Sequence, residues 1–169
     1  MNRLIIISGK QYSGKDTLCK ILIEKMPNFK RVGIGDAIKI EYGKKNNLTF
    51  DEIEKNKHLY RKDLIELGDW GRDQNPDYWL NNLSNMEHII VPDVRVVHEV
   101  EFFKKRGAYL IRVNSSVENR KKRGILVASD DNTETALDNY NNWDIVIENN
   151  SDLDSLKLKA DKIVERFIG

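Results

Sequence analysis

At 169 residues, with 40% hydrophobic and 33% charged side chains, the chain has the make-up of one folded domain closing a single core, which excludes a disordered or membrane-embedded polypeptide. Its 28 Lys+Arg against 27 Asp+Glu leave a net charge of +1, too little for a footprint on bulk nucleic acid or anionic membrane, so positive charge has to act locally. The single cysteine, Cys19, excludes an internal disulfide framework, and the opening apolar run Leu4-Ile5-Ile6-Ile7 is too short for a membrane span and lacks a cleavage site; a cytoplasmic protein without a signal peptide is the expectation.

Leu4 to Ser8 reads as a strand buried on both faces and ending at Gly9. Lys15 to Met26 carries Leu18 and Leu22 at helical spacing and is closed by Pro27. A short strand is predicted over 31–34, and a helix from about Asp36. Residues 48–67 read as helix–turn–helix with Asp51 as a cap, and Pro76-Asp77 opens a helix that turns Trp79, Leu80 and Leu83 inward. His88 to Val91 is a third strand, followed by a helix from Val97 to Arg106 that Gly107 stops. Ala108 to Val113 and Asp144 to Ile147 complete five strands, and Leu153 to Phe167 is a closing amphipathic helix. Trp70, Trp79 and Trp143 are expected to pack, Cys19 to be a small buried hydrophobe, and the polar segment 129–134 to be mobile.

Strands alternating with helices predict a three-layer α/β/α fold around a five-stranded parallel sheet, here as a single domain over 1–169. Ligands of such sheets sit beyond the carboxyl ends of the strands, where Gly9, Asp36, Asp93 and Arg95 all fall.

The strongest motif is Gly9-Lys10-Gln11-Tyr12-Ser13-Gly14-Lys15-Asp16-Thr17, which matches G-x4-G-K between a strand and a helix. Its glycines let successive backbone N–H groups turn toward phosphate oxygens, and the helix N-terminus adds partial positive charge. The residues expected to bind the nucleotide are Gly9, Lys10, Ser13, Gly14, Lys15, Asp16 and Thr17, with ATP as co-substrate and Lys15 reaching its β- and γ-phosphates. Asp16 stands where such loops usually place Ser or Thr, so either Asp16 or the following Thr17 serves Mg²⁺. Asp93, at the end of the third strand, is a further candidate for the metal, and Arg95 for an acceptor's phosphate. Lys39, Arg61 and Arg72, with Asp36, outline an anion pocket. The basic run Asn119-Arg120-Lys121-Lys122-Arg123-Gly124 is either a solvated face or a lid closing Arg120 and Arg123 over the transferring phosphoryl group.

Ser8 to Thr17, Val91-Pro92-Asp93-Val94-Arg95 with His98-Glu99, and the stretch from Asp144 to Leu153 resemble the phage-type deoxynucleoside monophosphate kinases. The segments around Glu41-Tyr42, Tyr60 to Ile65, Asn119 to Gly124 and Leu137-Asp138-Asn139 resemble the animal-type phosphomevalonate kinases. The likeness implies a nucleoside-monophosphate-kinase fold, ATP, Mg²⁺ and a small phosphorylated acceptor, with no nucleic acid or membrane partner. It implies that Lys39, Arg61 and Arg72, on helices over about 36–85, and Arg95 face the acceptor. Arg120 and Arg123 then belong to a lid over about 115–135, and Asn149 borders the adenine. Lys15, Arg95, Arg120 and Arg123 are thus the catalytic candidates. The chain departs from the mevalonate pattern at Arg95-Val96, where that family has two arginines, and its middle is shorter than in some nucleotide enzymes. A (deoxy)nucleoside monophosphate is the first expected acceptor and 5-phosphomevalonate the second. A non-catalytic nucleotide-binding switch is a third reading.

Overall fold

In the computed structural model, which describes residues 3–168, five parallel strands run β1 (Leu4–Gly9), β2 (Lys30–Arg31), β3 (Ile89–Val91), β4 (Tyr109–Asn114) and β5 (Ile145–Glu148). Their order across the sheet is β2-β3-β1-β4-β5. β1 is central, pairing Ile5 with Ile90 on one side and with Tyr109 on the other. That position explains its unbroken apolar run, since Ile5, Ile6 and Ile7 have no exposed surface.

Alternation along the strands sends Ile5, Ile7, Ile111 and Val113 to one face. There they pack with Leu18 and Leu22 of α1 (Lys15–Lys25) and with Leu156, Ala160 and Phe167 of α9 (Leu153–Ile168). Cys19 lies in this core, where burial pushes its thiol up to about 11, so it acts as a small hydrophobe. α6 (Val97–Lys104) packs on β4 and supplies the fully buried Val100 and Phe103. Each such side chain contributes about 1.5–3 kcal/mol of transfer free energy.

The chain divides into two compact units, 1–31 with 87–169, and 32–86. The second consists of α2 (Ile34–Asn46), α3 (Phe50–Lys55), α4 (Lys57–Gln74) and α5 (Tyr78–Ser84), with α2 and α4 each packed on α3, α5 and one another. Ala37, Ile53, Trp79, Leu80 and Leu83 are its buried apolar side chains among the described residues. Gly71 makes room for Trp79: a Cβ there would fall 2.7 Å from the indole ring. The indole N–H donates to the Gly68 carbonyl at 3.0 Å.

Several expectations shift. Only Lys30 and Arg31 pair as a strand, because the Asp36 carboxylate accepts the Gly33 amide at 2.7 Å and starts α2 at Ile34. α3 is capped by Thr49 and not by Asp51. The Thr49 hydroxyl accepts the Glu52 amide at 3.1 Å, and the Glu52 carboxylate accepts the Thr49 amide at 2.7 Å. Thr49→Ala is expected to cost about 1 kcal/mol, read as a lowered midpoint in urea unfolding. Trp70 is 43% exposed, outside the buried core, and packs edge-on against Tyr78 at 5.4 Å between ring centroids with Lys45 over its ring at 4.6 Å. The segment expected to be mobile begins the helix α8 (Asn132–Thr135), whose N-terminus the Asp131 carboxylate caps through the Thr133 amide. A last helix, α7 (Val117–Arg123), carries the basic run.

Candidate active site

Gly9 ends β1 beside Val113, where a Cβ would fall 2.8 Å from the Val113 carbonyl oxygen. The chain then tightens, with the Ser13 amide donating to the Lys10 carbonyl at 3.0 Å, and passes Gly14 at φ +102°, a conformation suited to glycine. A side chain at Gly14 would also strike the Asn149 amide group. No side chain caps α1, so the first-turn amides of Lys15, Asp16 and Thr17 lack protein acceptors among the described residues. They border a cavity of about 490 Å³ lined by Gln11 to Thr17 and by Arg123.

Ser13, 1% exposed, has a hydroxyl with no partner among the described residues. A buried hydroxyl without a partner costs about 1–3 kcal/mol, and an oxyanion in the loop would satisfy it. The Lys15 side chain is 14% exposed with its ammonium 3.9 Å from the Asp16 carboxylate, which itself is 70% exposed at the mouth. These features fit the phosphates of a nucleotide.

Asn149 is buried and holds the loop from behind, its side-chain amide donating to the Ser13 carbonyl at 2.9 Å. Arg123 binds the same region. Its Nη1 donates to the carbonyls of Tyr12 (2.9 Å) and Ser13 (3.3 Å) and to the Ser115 hydroxyl (3.1 Å), and its Nη2 to the Asn149 carbonyl (2.8 Å). One guanidinium thus ties α7 to the phosphate loop and to the loop after β5. Beside these, Gly14, Thr17, Asn149, Ser151, Asp152 and Leu156 border a hollow of about 180 Å³. Arg120 is buried, its Nε donating to the Ser115 carbonyl at 3.3 Å.

Lys10 turns elsewhere. Its ammonium pairs with Asp138 at 2.9 Å and lines a separate hollow with Arg112 and Trp143. Asp93 is half-buried past the end of β3 and Arg95 is exposed. The Arg95 and Val96 amides donate to the Glu99 carboxylate at 2.9 and 3.1 Å, so Glu99 caps α6 and leaves the Arg95 side chain outside that cap. Burial raises the Glu99 carboxyl, against the pull of those two amides, with the Asp93 charge adding to the rise.

In the unit 32–86, Lys39, Arg61 and Arg72 line one cavity of about 670 Å³ together with Lys57, Ile38 and Leu64. Lys39 is held by Glu54 at 2.5 Å and lies 3.7 Å from Asp36, while Arg72 donates to Asp69 at 3.3 Å. Arg61 makes no hydrogen bond or ion pair among the described residues, which leaves its guanidinium open to an anion. Asp36 serves chiefly as the α2 cap already described.

Gln11, Arg112 and Glu134 were not among the candidates. Arg112 is 7% exposed in β4, bound to the Ser8 hydroxyl at 2.9 Å and to Asn114 at 3.2 Å, and desolvation lowers its pKa. An arginine inside the otherwise apolar Tyr109 to Val113 was the available signal. Glu134 is taken up below.

A glycine-rich loop leading from the central strand of a 2-3-1-4-5 parallel sheet into a helix, with its amides and a lysine facing one cavity, defines a P-loop kinase of the nucleoside-monophosphate-kinase type. The phosphomevalonate kinase family matches residues 7–109, and the deoxynucleotide monophosphate kinase family matches residues 63–160. Each match takes in more than half of the chain, and the chain belongs to the P-loop kinase group of these two families. Such kinases are phosphotransferases, which implies ATP use. Solved structures bear out the fold. Shikimate kinase from Aquifex aeolicus superposes with a TM-score of 0.55 at 18% identity, over 98% of this chain and 99% of that one. Shikimate kinase from Acinetobacter baumannii, solved with shikimate, gives 0.54 at 17% identity, over 99% and 94%. No described helix is long and apolar enough to cross a membrane.

Proposed function

We propose that this kinase passes the γ-phosphoryl group of ATP to a small acceptor that already carries phosphate. The observation that carries this reading is the cavity in which Lys39, Arg61 and Arg72 converge with branched apolar side chains. Several cations above an apolar floor suit an organic phosphate, whose charge must be neutralised before another anionic phosphoryl group can approach.

The loop amides and Lys15 hold the donor's phosphates and stabilise the charge that spreads over the transferring group, and the acceptor's phosphate oxygen attacks in line. Arg95 is assigned to the acceptor, and Arg120 with Arg123 to the lid over about 115–135. Arg123 acts by fixing the shape of the loop through hydrogen bonds to the Tyr12 and Ser13 carbonyls, while two more tie it to Ser115 and Asn149. Mg²⁺ in such enzymes takes one or two carboxylates plus phosphate oxygens and neutralises the developing charge. Asp16 and Thr17 at the cavity mouth are fitted to hold it, with Asp93 as the further carboxylate. Among the described residues no three His, Cys, Asp or Glu converge, so the donor set would be completed by the nucleotide.

A (deoxy)nucleoside monophosphate is the first acceptor. The deoxynucleotide monophosphate kinase match runs through Arg72, Arg95, the lid and the loop after β5. Phosphomevalonate is the second reading, favoured by a match that spans all of 32–86 and by a cavity with no Phe, Tyr or Trp in its lining. A coupled assay across nucleoside monophosphates and 5-phosphomevalonate decides between them. Turnover on phosphomevalonate alone overturns the first reading, and tight nucleotide binding without consumption of any phosphorylated acceptor overturns both.

Arg61→Ala is expected to raise the acceptor KM about 10- to 100-fold, the value of one charge-assisted contact, with the ATP KM unchanged. An unaltered acceptor dependence would return Arg61 to an ordinary surface residue.

A further inference from the structure

Among the described residues Glu134 is the one buried carboxylic residue, at 8% exposure, and it touches the phosphate loop. Its Oε2 accepts the Gln11 backbone N–H at 3.2 Å. No ion pair within 4 Å forms with it among the described residues, and the charge it interacts with is that of the buried Arg112 guanidinium. The chain leading to it is stapled to the same loop residue: the Gln11 side chain accepts the Val127 amide at 3.0 Å and donates to the Val127 carbonyl at 2.5 Å. A buried carboxylate costs stability unless something is gained from placing it there.

The direction of a bound nucleotide follows from the two cavities. The hollow beside Asn149 and Asp152 and the loop cavity share Gly14, Thr17 and Arg123. A base in the former therefore directs its phosphates from Gly14 toward Gln11, the far end of the loop. Gln11 lines the loop cavity at the end away from Gly14, so with the nucleotide placed this way its amide lies nearest the last phosphate of a triphosphate. Glu134 already occupies it, with an oxygen anion of the kind the phosphate would offer.

We infer that Glu134 is a specificity-determining residue of the nucleotide site: its carboxylate covers the terminal-phosphate end of the loop, so that ATP has to displace it and ADP does not. This rests on the reading of the loop as the ATP site. Two anions cannot share one N–H, and like charges brought together are penalised, so the native protein binds ATP more weakly relative to ADP than the bare loop would.

The test is calorimetric titration of the native protein, Glu134→Ala and Glu134→Gln with ATP and with ADP, each with Mg²⁺. Glu134→Ala is expected to tighten ATP about tenfold while ADP stays within about twofold. Glu134→Gln keeps the shape and an acceptor oxygen but loses the charge, and is expected to fall between; it also serves if the alanine variant folds poorly. Equal shifts for both nucleotides, or no shift in either, overturn the role of Glu134 and leave the nucleotide site standing. Native protein that binds neither ATP nor ADP overturns the site itself, and the inference with it.

Discussion

Lys15→Ala is expected to turn over about 10²- to 10³-fold more slowly than the native enzyme, the usual cost of removing one preorganised electrostatic group at a developing charge. Its ammonium is the cationic side chain at the head of α1, set among amides that carry only partial charge. The loss falls on kcat as well as on ATP binding, because charge on the transferring group is greatest in the transition state. Stability is expected to hold. Within hydrogen-bond or ion-pair range Lys15 meets, among the described residues, only the exposed Asp16 carboxylate, at 3.9 Å, and such a pair contributes little. Steady-state kinetics and urea unfolding on the same preparation check both halves. Near-native turnover would remove Lys15 from the phosphate site, and a large drop in the unfolding midpoint would make its role structural.

Lys15 could be found from sequence because everything that positions it is local. The apolar run of β1, the glycines and the helical spacing of Leu18 and Leu22 lie within a few turns of one another, and each obeys a short-range rule. The five-stranded parallel sheet followed from the same alternation of strand and helix, while the order of its strands came only with the fold. What sequence could not separate was cations that serve ligands from cations that serve the protein. Lys10 looks as available as Lys15, yet Asp138 pairs with it from 128 residues away in sequence. Arg123 stood in a basic run that reads equally as a solvated face, and only folding brings Tyr12, Ser13 and Asn149 to it. Glu134 carried no signal at all, since its contact with Gln11 spans 123 positions. The Asp51 cap and the strand over 31–34 failed for a smaller reason: neighbouring Thr49 and Asp36 offered better hydrogen bonds two to three residues away.

Trp79→Ala is expected to destabilise the unit 32–86 by about 3–5 kcal/mol, the range for truncating a buried aromatic side chain. Three features set the size of the effect. The indole is 2% exposed, its N–H is satisfied by the Gly68 carbonyl, and Gly71 is shaped around its ring, so the cavity left behind is poorly placed to collapse. With few other large side chains fully buried among these helices, the loss is large against the few kcal/mol that a small unit has to spare. Hydrogen exchange on the whole chain checks it. Amides of α2, α4 and α5 are expected to lose protection while those of α1 and α9 keep theirs, because the latter rest on the separate core of Ile5, Ile7, Leu22 and Phe167. ATP affinity should then survive while the acceptor KM rises, since Lys39, Arg61 and Arg72 all depend on the packing of α2 and α4. Equal loss of protection in α1 and α9 would mean that the two units share one cooperative core, and the assignment of acceptor binding to the smaller unit would lose its energetic basis.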